Sequence, residues 1–291
     1  MIKLGDIKNI ERVINNKKII YSKLLSNSFG INCIKISLED KRSFVVKYYN
    51  DKVNSFNSIK TESENLNFFY NINLKFFPKV EFQSDDYLVI SFLKNDNLKP
   101  NRIREDLLNS IISIHSKKNI RYGFDFDTQI GGLKQKNKWN PNWIEFYREK
   151  RLGYIFNLIN KHNPMDKTIN IRIDKLLRNL DNFIPQKPTS SLLHGDLWEG
   201  NILFNKKQFV GFIDPGSFYG HNELEIAYLT WFNPNFIKNG FLEKYNEIIK
   251  IDKEYKNYEP IYQLYYSMMN VHVWDRSYVY DVERLLNKLK I

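Results

Sequence analysis

The stretch Leu192-Leu193-His194-Gly195-Asp196-Leu197-Trp198-Glu199-Gly200-Asn201-Ile202-Leu203-Phe204 places an aspartate and an asparagine five residues apart on a turn between apolar segments. Thirteen residues after Asn201, an apolar run over 209–213 ends in Asp214-Pro215-Gly216, which sets a second carboxylate at the end of a hairpin. Phosphoryl transfer from ATP needs this set: one carboxylate to orient the acceptor hydroxyl and take its proton, and an Asn with another carboxylate to hold Mg²⁺ against the phosphates. Hard oxygen donors suit Mg²⁺, and few are needed because substrate phosphates complete the octahedron. A single Asp after a strand reads as a turn or cap residue. HGDxxxxN followed by a strand and DP is a different matter, because the constraints coincide in one strand-loop-strand context.

That reading makes demands upstream. A strand lysine must neutralise the nucleotide phosphates, and a helix glutamate must hold it. Phe44-Val45-Val46-Lys47 supplies the lysine, and Glu62 opens the helical pattern that follows. Glu64 competes with it, but at 100° per residue it lies about 200° around the helix from Glu62. Glu62 has Leu66 four residues on and shares its side with a core position. Ser28, Phe29 and Gly30, within Ser26-Asn27-Ser28-Phe29-Gly30, precede the first strand pair and fit either a phosphate-covering loop or an ordinary turn. Neither GxxxxGK[ST] nor GxGxxG occurs, which removes the P-loop and Rossmann sites.

Working outward, residues 33–38 and 43–49 read as a hairpin, 61–70 as a helix and 87–93 as a buried strand. From residue 103 onward helical patterns dominate (103–115, 143–159, 171–183, 224–232, 241–251 and 260 to the end), with strands only at 192–194 and 209–213. The expectation is an α+β chain: a small antiparallel β-sheet lobe with one helix over 1–93, a hinge at about 91–97, and a larger, mostly α-helical lobe over 94–291. With 291 residues, 42% hydrophobic and 15% aromatic, the chain has ample material for a core, and a disordered basic tail is excluded. Its one cysteine, Cys33, excludes a disulfide framework and a zinc ribbon and points to a reducing compartment. The first fourteen residues mix Lys3, Asp6, Lys8, Glu11 and Arg12 among apolar positions, and no run reaches the roughly 18 apolar residues of a membrane span, so a cytoplasmic protein is expected. The net charge of +11 accompanies a Lys-, Asn- and Ile-rich composition with one alanine, Ala227, a bias that AT-rich coding also produces.

His194-Gly195-Asp196-Leu197-Trp198-x-Gly200-Asn201, then Ile213-Asp214-Pro215 and Ser217-Phe218-Tyr219-Gly220-His221-x-Glu223, resembles the fructosamine kinase (ketosamine-3-kinase) family within the protein-kinase-like superfamily. HGDxxxxN alone fits aminoglycoside phosphotransferases and choline kinases equally well; the Trp of HGDLW and the YGH after DP are the narrower features. Further points of resemblance are Lys47, Glu62, the strand 88–93, Trp143 with Phe146, Arg151-Leu152 and Tyr262-Gln263-Leu264. The resemblance implies a bilobal protein-kinase-like fold and transfer of the ATP γ-phosphate to the 3-hydroxyl of a ketosamine, as a small molecule or on a glycated protein lysine. It makes Asp196 the base, Asn201 and Asp214 the Mg²⁺ ligands, and Lys47 with Glu62 the phosphate anchor. The backbone of Ser91, Phe92 and Leu93 would bind adenine; similar enzymes carry Glu where Ser91 stands.

Trp198 is read either as a platform for the sugar or amine or as core packing. His221 and Glu223 are expected at the active-site floor, the alternative being that Glu223 or Glu225 is structural and ties its helix to the catalytic loop by hydrogen bonds. Near the end the family reads H-x-N-x-F-G, whereas this chain has Asn270-Val271-His272-Val273-Trp274-Asp275, so Asn and His are exchanged and Asp replaces Gly. Asn270 and His272 are read as sugar contacts, with His272 as a plain helix-face residue the alternative. A C3 phosphate, one carbon from the carbonyl, becomes a leaving group after tautomerisation and frees the amine, so deglycation is the implied role. The runner-up is an aminoglycoside- or choline-type phosphotransferase, against which stands the lack of an evident acidic cluster in the last third. No nucleic-acid motif is present; the expected partners are ATP and the ketosamine, without nucleic acid or membrane, and the expected state is a monomer or weak dimer.

Overall fold

The computed structural model describes Ile10, Glu11, Ile14, residues 17–49 and residues 56–291; the charged positions Lys3, Asp6, Lys8 and Arg12 lie outside these. The described chain forms two compact units, one within Met1–Leu98 together with Leu203–Pro215, the other Lys99–Ile202 with Gly216–Ile291.

The first unit is built on an antiparallel sheet. Strands β1 (Ile19–Ser28), β2 (Ile31–Leu38), β3 (Ser43–Tyr49), β4 (Val80–Gln83) and β5 (Tyr87–Ser91) pair in the order β1-β2-β3-β5-β4. Alternation along β2 and β3 buries Ile34, Ile36, Leu38, Phe44 and Val46 on one face, where Ile10, Ile14 and Val89 join them. Helix α1 (Ser58–Asn71) starts at the cap Asn57, whose side chain accepts the Lys60 N–H at 2.9 Å, and it buries Ile59, Glu62, Leu66 and Phe69. Phe69 stacks on Phe77 with ring centroids 3.9 Å apart.

Two readings of this region change. β1 was not anticipated, because almost every side chain of IIYSKLLSNS is exposed and an edge strand without a buried face has no alternation to read. The division is also not a single cut near 91–97, since the hairpin of β10 (Ile202–Asn205) and β11 (Gln208–Phe212) groups with the sheet. Phe212 packs on Phe76 and Phe77 and donates its N–H to the Phe76 carbonyl at 2.9 Å, while Asp96 accepts the Lys206 N–H at 3.0 Å.

The second unit is mainly helical. Helix α2 (Glu105–His115) leads into the short strand β6 (Lys118–Asn119) and the hairpin β7 (Thr128–Ile130) and β8 (Leu133–Gln135). Helices α3 (Trp143–Tyr147) and α4 (Gly153–His162) are joined by a π-helical turn over Arg148–Leu152. That turn brings Arg151 fully inside, its guanidinium 3.8 Å from the Phe218 ring centroid and donating to Asn137 Oδ1 at 2.6 Å. Helix α5 (Lys167–Arg178) precedes β9 (Ser190–Leu193), which is buried throughout and lies between β12 (Phe218–His221) and β6. Helices α6 (Asn222–Trp231), α7 (Phe241–Ile248), α8 (Tyr255–Val273) and α9 (Val279–Lys288) complete the unit. Strands β6, β7, β8 and β12 are short pieces that the composition did not signal. Pro260, expected at a helix start, sits inside α8. No helix among the described residues is long and apolar enough to cross a membrane.

Candidate active site

In the sheet unit the chemistry gathers on Lys47. β3 holds it between Cys33 and Leu88 in the ladder, and its ammonium reaches both Glu62 oxygens at 2.7 and 2.8 Å and Asp214 Oδ1 at 2.5 Å. Glu62 is buried and Glu64 exposed, so the helix phase puts the former against the lysine. Burial alone would push the Lys47 ammonium down, but the Asp214 and Glu62 carboxylates outweigh it and hold the pKa above the ordinary lysine value. Burial, against the pull of Lys47 and with help from the Asp214 charge, pushes Glu62 up to about 7. Asp214 itself has a left-handed backbone, φ 56°, at the exit of β11, a conformation Asp tolerates better than most residues. Burial raises the Cys33 thiol to about 11, far from the thiolate range in which cysteines react.

Ser28 closes β1, and Phe29 and Gly30, both with positive φ, form the surface turn into β2. At the proposed hinge the Ser91 N–H is spent on the Lys79 carbonyl and the Phe92 N–H on the Ser43 carbonyl, while the Leu93 carbonyl accepts from Asn95 Nδ2. The expectation of three adenine-binding backbones therefore narrows, among donors, to the Leu93 N–H.

In the helical unit the loop after β9 is fixed from several sides. Glu225, buried on α6, accepts the Gly195 N–H at 2.6 Å through Oε1 and the His194 N–H at 3.0 Å through Oε2. Its Oε2 also lies 2.8 Å from His115 Nε2, and His115 Nδ1 lies 2.7 Å from the Tyr245 hydroxyl. Burial opposes ionisation of Glu225, yet these donors and the nearby histidines hold its pKa below the ordinary value. Gly195 has φ +88°, and a Cβ there would stand 1.9 Å from the Gly216 carbonyl oxygen, so only glycine permits the approach. The Asp196 N–H turns back to His194 Nδ1 at 3.2 Å.

Asn201 ends a 3₁₀ turn (Glu199–Asn201), and its Nδ2 donates to the Asp196 carbonyl at 2.8 Å and to Asp196 Oδ2 at 3.0 Å. With the NH₂ committed, the amide oxygen is the atom a hard cation would take. Asp214 offers carboxylate oxygens of the same hardness, so the donor types fit Mg²⁺. Among the described residues no cluster of three or more His, Cys, Asp or Glu forms a cage for a metal.

The residues expected to meet substrate are placed differently from one another. The Trp198 indole is half-buried, lying over Gly200, where a Cβ would be 2.3 Å from the ring, and against Phe232 with centroids 5.8 Å apart. Asn270 receives the Trp274 and Asp275 N–H groups on its carbonyl, and its buried Nδ2 has no hydrogen-bond partner among the described residues. His272, two residues on, faces His162 with ring centroids 5.9 Å apart; burial first, then His162, lowers its pKa. The exchanged pair is thus not brought together, since two positions on a helix diverge by about 200°. His221 is buried in this unit, with Nδ1 2.8 Å from the Tyr262 hydroxyl and Trp143 packed edge-on. Glu223 likewise faces inward, accepting from the Tyr258 hydroxyl and the Asp252 N–H.

The sequence did not single out Tyr228, on α6, whose ring stacks on that of Tyr266 on α8 with centroids 3.7 Å apart. It stands in the apolar run Ile226-Ala227-Tyr228-Leu229, where nothing separates a polar role from packing. His115 left no signal either, being one polar residue at the end of an amphipathic helix.

Comparison with known proteins adds an independent line. The family model described as fructosamine kinase matches residues 11–291. A probable ketoamine kinase of Enterococcus faecium is 33% identical over 187 residues, covering 63% of this chain and 66% of the relative. The chloroplastic protein-ribulosamine 3-kinase of Arabidopsis thaliana is 31% identical over 202 residues, covering 66% and 58% respectively. The chain therefore spans about two thirds or less of these curated relatives. Among solved structures, a candidate fructosamine-3-kinase from Thermobifida fusca superimposes with a TM-score of 0.83 at 20% identity, covering 96% of this chain and 97% of that one. At that identity the likeness concerns the fold, which is the α+β, protein-kinase-like arrangement of an antiparallel sheet unit and a helical unit.

Proposed function

Because the chain belongs to the fructosamine kinase family, we propose that it transfers the γ-phosphate of ATP to the 3-hydroxyl of ketosamines. The observation that carries this reading is the Asp196 carboxylate on the HGDLW loop, anchored through Glu225 and gripped by Asn201 Nδ2 at 3.0 Å. Asp196 orients the acceptor hydroxyl and takes its proton as the oxygen attacks phosphorus, and ADP departs with the electrons of the broken bridging bond. Lys47, held by Glu62, serves the nucleotide phosphates, and the turn of Ser28, Phe29 and Gly30 covers them with backbone N–H groups. Ser91, Phe92 and Leu93 border the adenine, with the Leu93 N–H as the available donor. Asn201 and Asp214 would be the protein's ligands to Mg²⁺, which neutralises phosphate charge when bound.

Trp198 offers an indole face to the sugar or its amine. Asn270 carries a buried amide donor without a partner among the described residues, which costs stability unless a ligand hydroxyl or water meets it, so it is the stronger sugar contact of the exchanged pair. His272 is the weaker one. His221 packs against Tyr262 and Trp143 within the helical unit. A phosphate on C3 leaves after tautomerisation and releases the amine, so the product chemistry is deglycation of an amine or of a protein lysine.

The test is Mg-ATP-dependent ADP release against ribulosyl-, erythrulosyl- and fructosyl-lysine, an aminoglycoside and choline. Turnover on a ketosamine, reduced about 10²–10⁴-fold by Asp196→Asn as expected for loss of a general base, supports the reading. Silence on every ketosamine with turnover on another amine would remove the substrate assignment.

A further inference from the structure

Within the helical unit the HGDLW loop meets the turn at Gly216-Ser217 glycine to glycine. The Gly216 N–H donates to the His194 carbonyl at 2.9 Å, and the Ser217 hydroxyl donates to the same carbonyl at 3.3 Å. The Gly216 carbonyl oxygen lies so near Gly195 that a Cβ there would stand 1.9 Å from it. The hairpin of β7 and β8 holds that oxygen: Thr128 Oγ1 donates to it at 3.2 Å and Gln135 Nε2 at 3.0 Å. Gln135 Nε2 also donates to the Gln129 carbonyl at 3.3 Å, while Oε1 accepts the Tyr265 hydroxyl at 3.2 Å, so the amide has one orientation. Thr128 accepts in turn from Asn137 Nδ2 at 2.8 Å. Thr128, Gln135 and Asn137 are all buried polar side chains, and the proposed reaction gives none of them a role.

We infer that Gln135 is a positioning residue for phosphoryl transfer: with Thr128 it fixes the Gly216 carbonyl, and through that turn it fixes the His194–Asp196 backbone that presents the base. The inference rests on the reading of Asp196 as the base. Gly216 has no Cβ to restrict its backbone, so the peptide it forms with Ser217 is set by what its carbonyl meets. Two donors meet it here, each locked by a further hydrogen bond, and the turn is left with its Gly216 N–H on His194. Glu225 takes the His194 and Gly195 N–H groups from α6, so the His194 backbone is committed on both its N–H and its carbonyl just before Asp196. A loop tied on one of these only would pivot, and proton abstraction rewards holding the base within about 0.5 Å of the productive geometry. Packing at position 135 would be served by an apolar side chain; what such a side chain lacks is the donor that a buried carbonyl requires. Gln135 moves no proton. The acceptor's proton goes to Asp196, the new bond forms between acceptor oxygen and γ-phosphorus, and the β,γ-bridging bond breaks with its electrons to release ADP.

The experiment uses the full chain and whichever acceptor the wild type turns over. Gln135→Met keeps the side chain's length and removes its amide; kcat is expected to fall about tenfold while KM for ATP and for the acceptor stay within about twofold. In the Asp196→Asn background the same substitution should change the residual rate by less than about twofold, because the loop no longer presents a base. Thr128→Val removes the other donor to the same carbonyl with little change of shape and should lower kcat about threefold, again with the effect lost in the Asp196→Asn background; where Gln135→Met does not fold, this variant carries the test. The control for lost stability is Ile173→Val or Ile173→Ala, on the buried face of α5, whichever lowers the urea midpoint at least as far, and it should keep full kcat. Full kcat in Gln135→Met, or in Thr128→Val where that variant carries the test, overturns the inference while leaving the proposed function standing. Equal falls in both backgrounds also overturn it, as does a matching fall in the Ile173 variant, since that is how a packing defect behaves. A wild type silent toward every acceptor removes the proposed reaction and this inference with it.

Discussion

The two units keep their buried ionisable groups by opposite means. In the sheet unit charge meets charge: one ammonium, Lys47, lies between two carboxylates, Glu62 and Asp214, all within 2.8 Å. In the helical unit carboxylates are satisfied mainly by neutral donors. Glu225 takes two backbone N–H groups and a histidine nitrogen, and Asp196 takes the Asn201 amide. The buried imidazole His221 simply gives up its charge. The difference suits the proposed division of labour. A cation between carboxylates can be shared with incoming phosphates, whereas a base must keep its lone pair and cannot be locked against a cation.

The sharpest break of this contrast is Lys47→Met. It strands two carboxylates, one of them fully buried, and removing one partner of a buried pair costs about 3–5 kcal/mol. The lower end is expected, because the Asp214 side chain is 37% exposed and water screens it. Glu62→Met should cost less, since Lys47 keeps Asp214 as a partner. Urea unfolding of the two variants decides the matter, and equal losses would mean that the cluster behaves as a single pair.

Glu225→Gln probes the other regime. The carboxylate accepts from two backbone N–H groups on different oxygens, and an amide must turn its NH₂ toward one of them. Hydrogen bonds to a charged group contribute about 1.5–3 kcal/mol, so a loss of about 2 kcal/mol is expected, with a fall in kcat as the His194–Asp196 backbone loosens. Unchanged stability together with unchanged turnover would show that the loop holds itself.

How far this contrast could be read in the sequence follows its physics. The Lys47–Glu62 pairing was legible because a strand and a helix have fixed periods, and 100° per residue separates Glu62 from Glu64. The HGDxxxxN and DP segments were legible because their residue types coincide at fixed spacing. Glu225 was half-legible: a tie from its helix to the catalytic loop could be read for Glu223 or Glu225, and it is Glu225 that accepts the His194 and Gly195 N–H groups. The floor role of His221 came with the resemblance and not from spacing; β12 pairs with β9, and the imidazole lies against Tyr262. Edge strand β1, exposed on nearly all its side chains, offered no pattern at all.

The smallest effect tests whether the helical unit discharges rather than pairs its histidine. Trp143 Nε1 donates to the Tyr262 hydroxyl at 3.0 Å, that hydroxyl lies 2.8 Å from His221 Nδ1, and His221 Nε2 lies 3.6 Å from Glu223. Burial first, then the Lys118 charge, lowers the His221 pKa to about 3 despite that carboxylate, while burial raises Glu223 above its ordinary value. An imidazole that binds its proton only in the unfolded chain leaves stability intact above the unfolded pKa of about 6.5 and erodes it as pH falls from there toward 3. Between pH 7 and pH 5 the erosion amounts to about 2 kcal/mol. His221→Gln should start from a less stable protein at pH 7 and lose less on acidification over that window. Parallel losses in the wild type and His221→Gln from pH 7 to pH 5 would mean that burial does not depress the imidazole; a smaller loss in the wild type would mean that it is already paired as a cation with Glu223, and the helical unit then treats that histidine as the sheet unit treats Lys47.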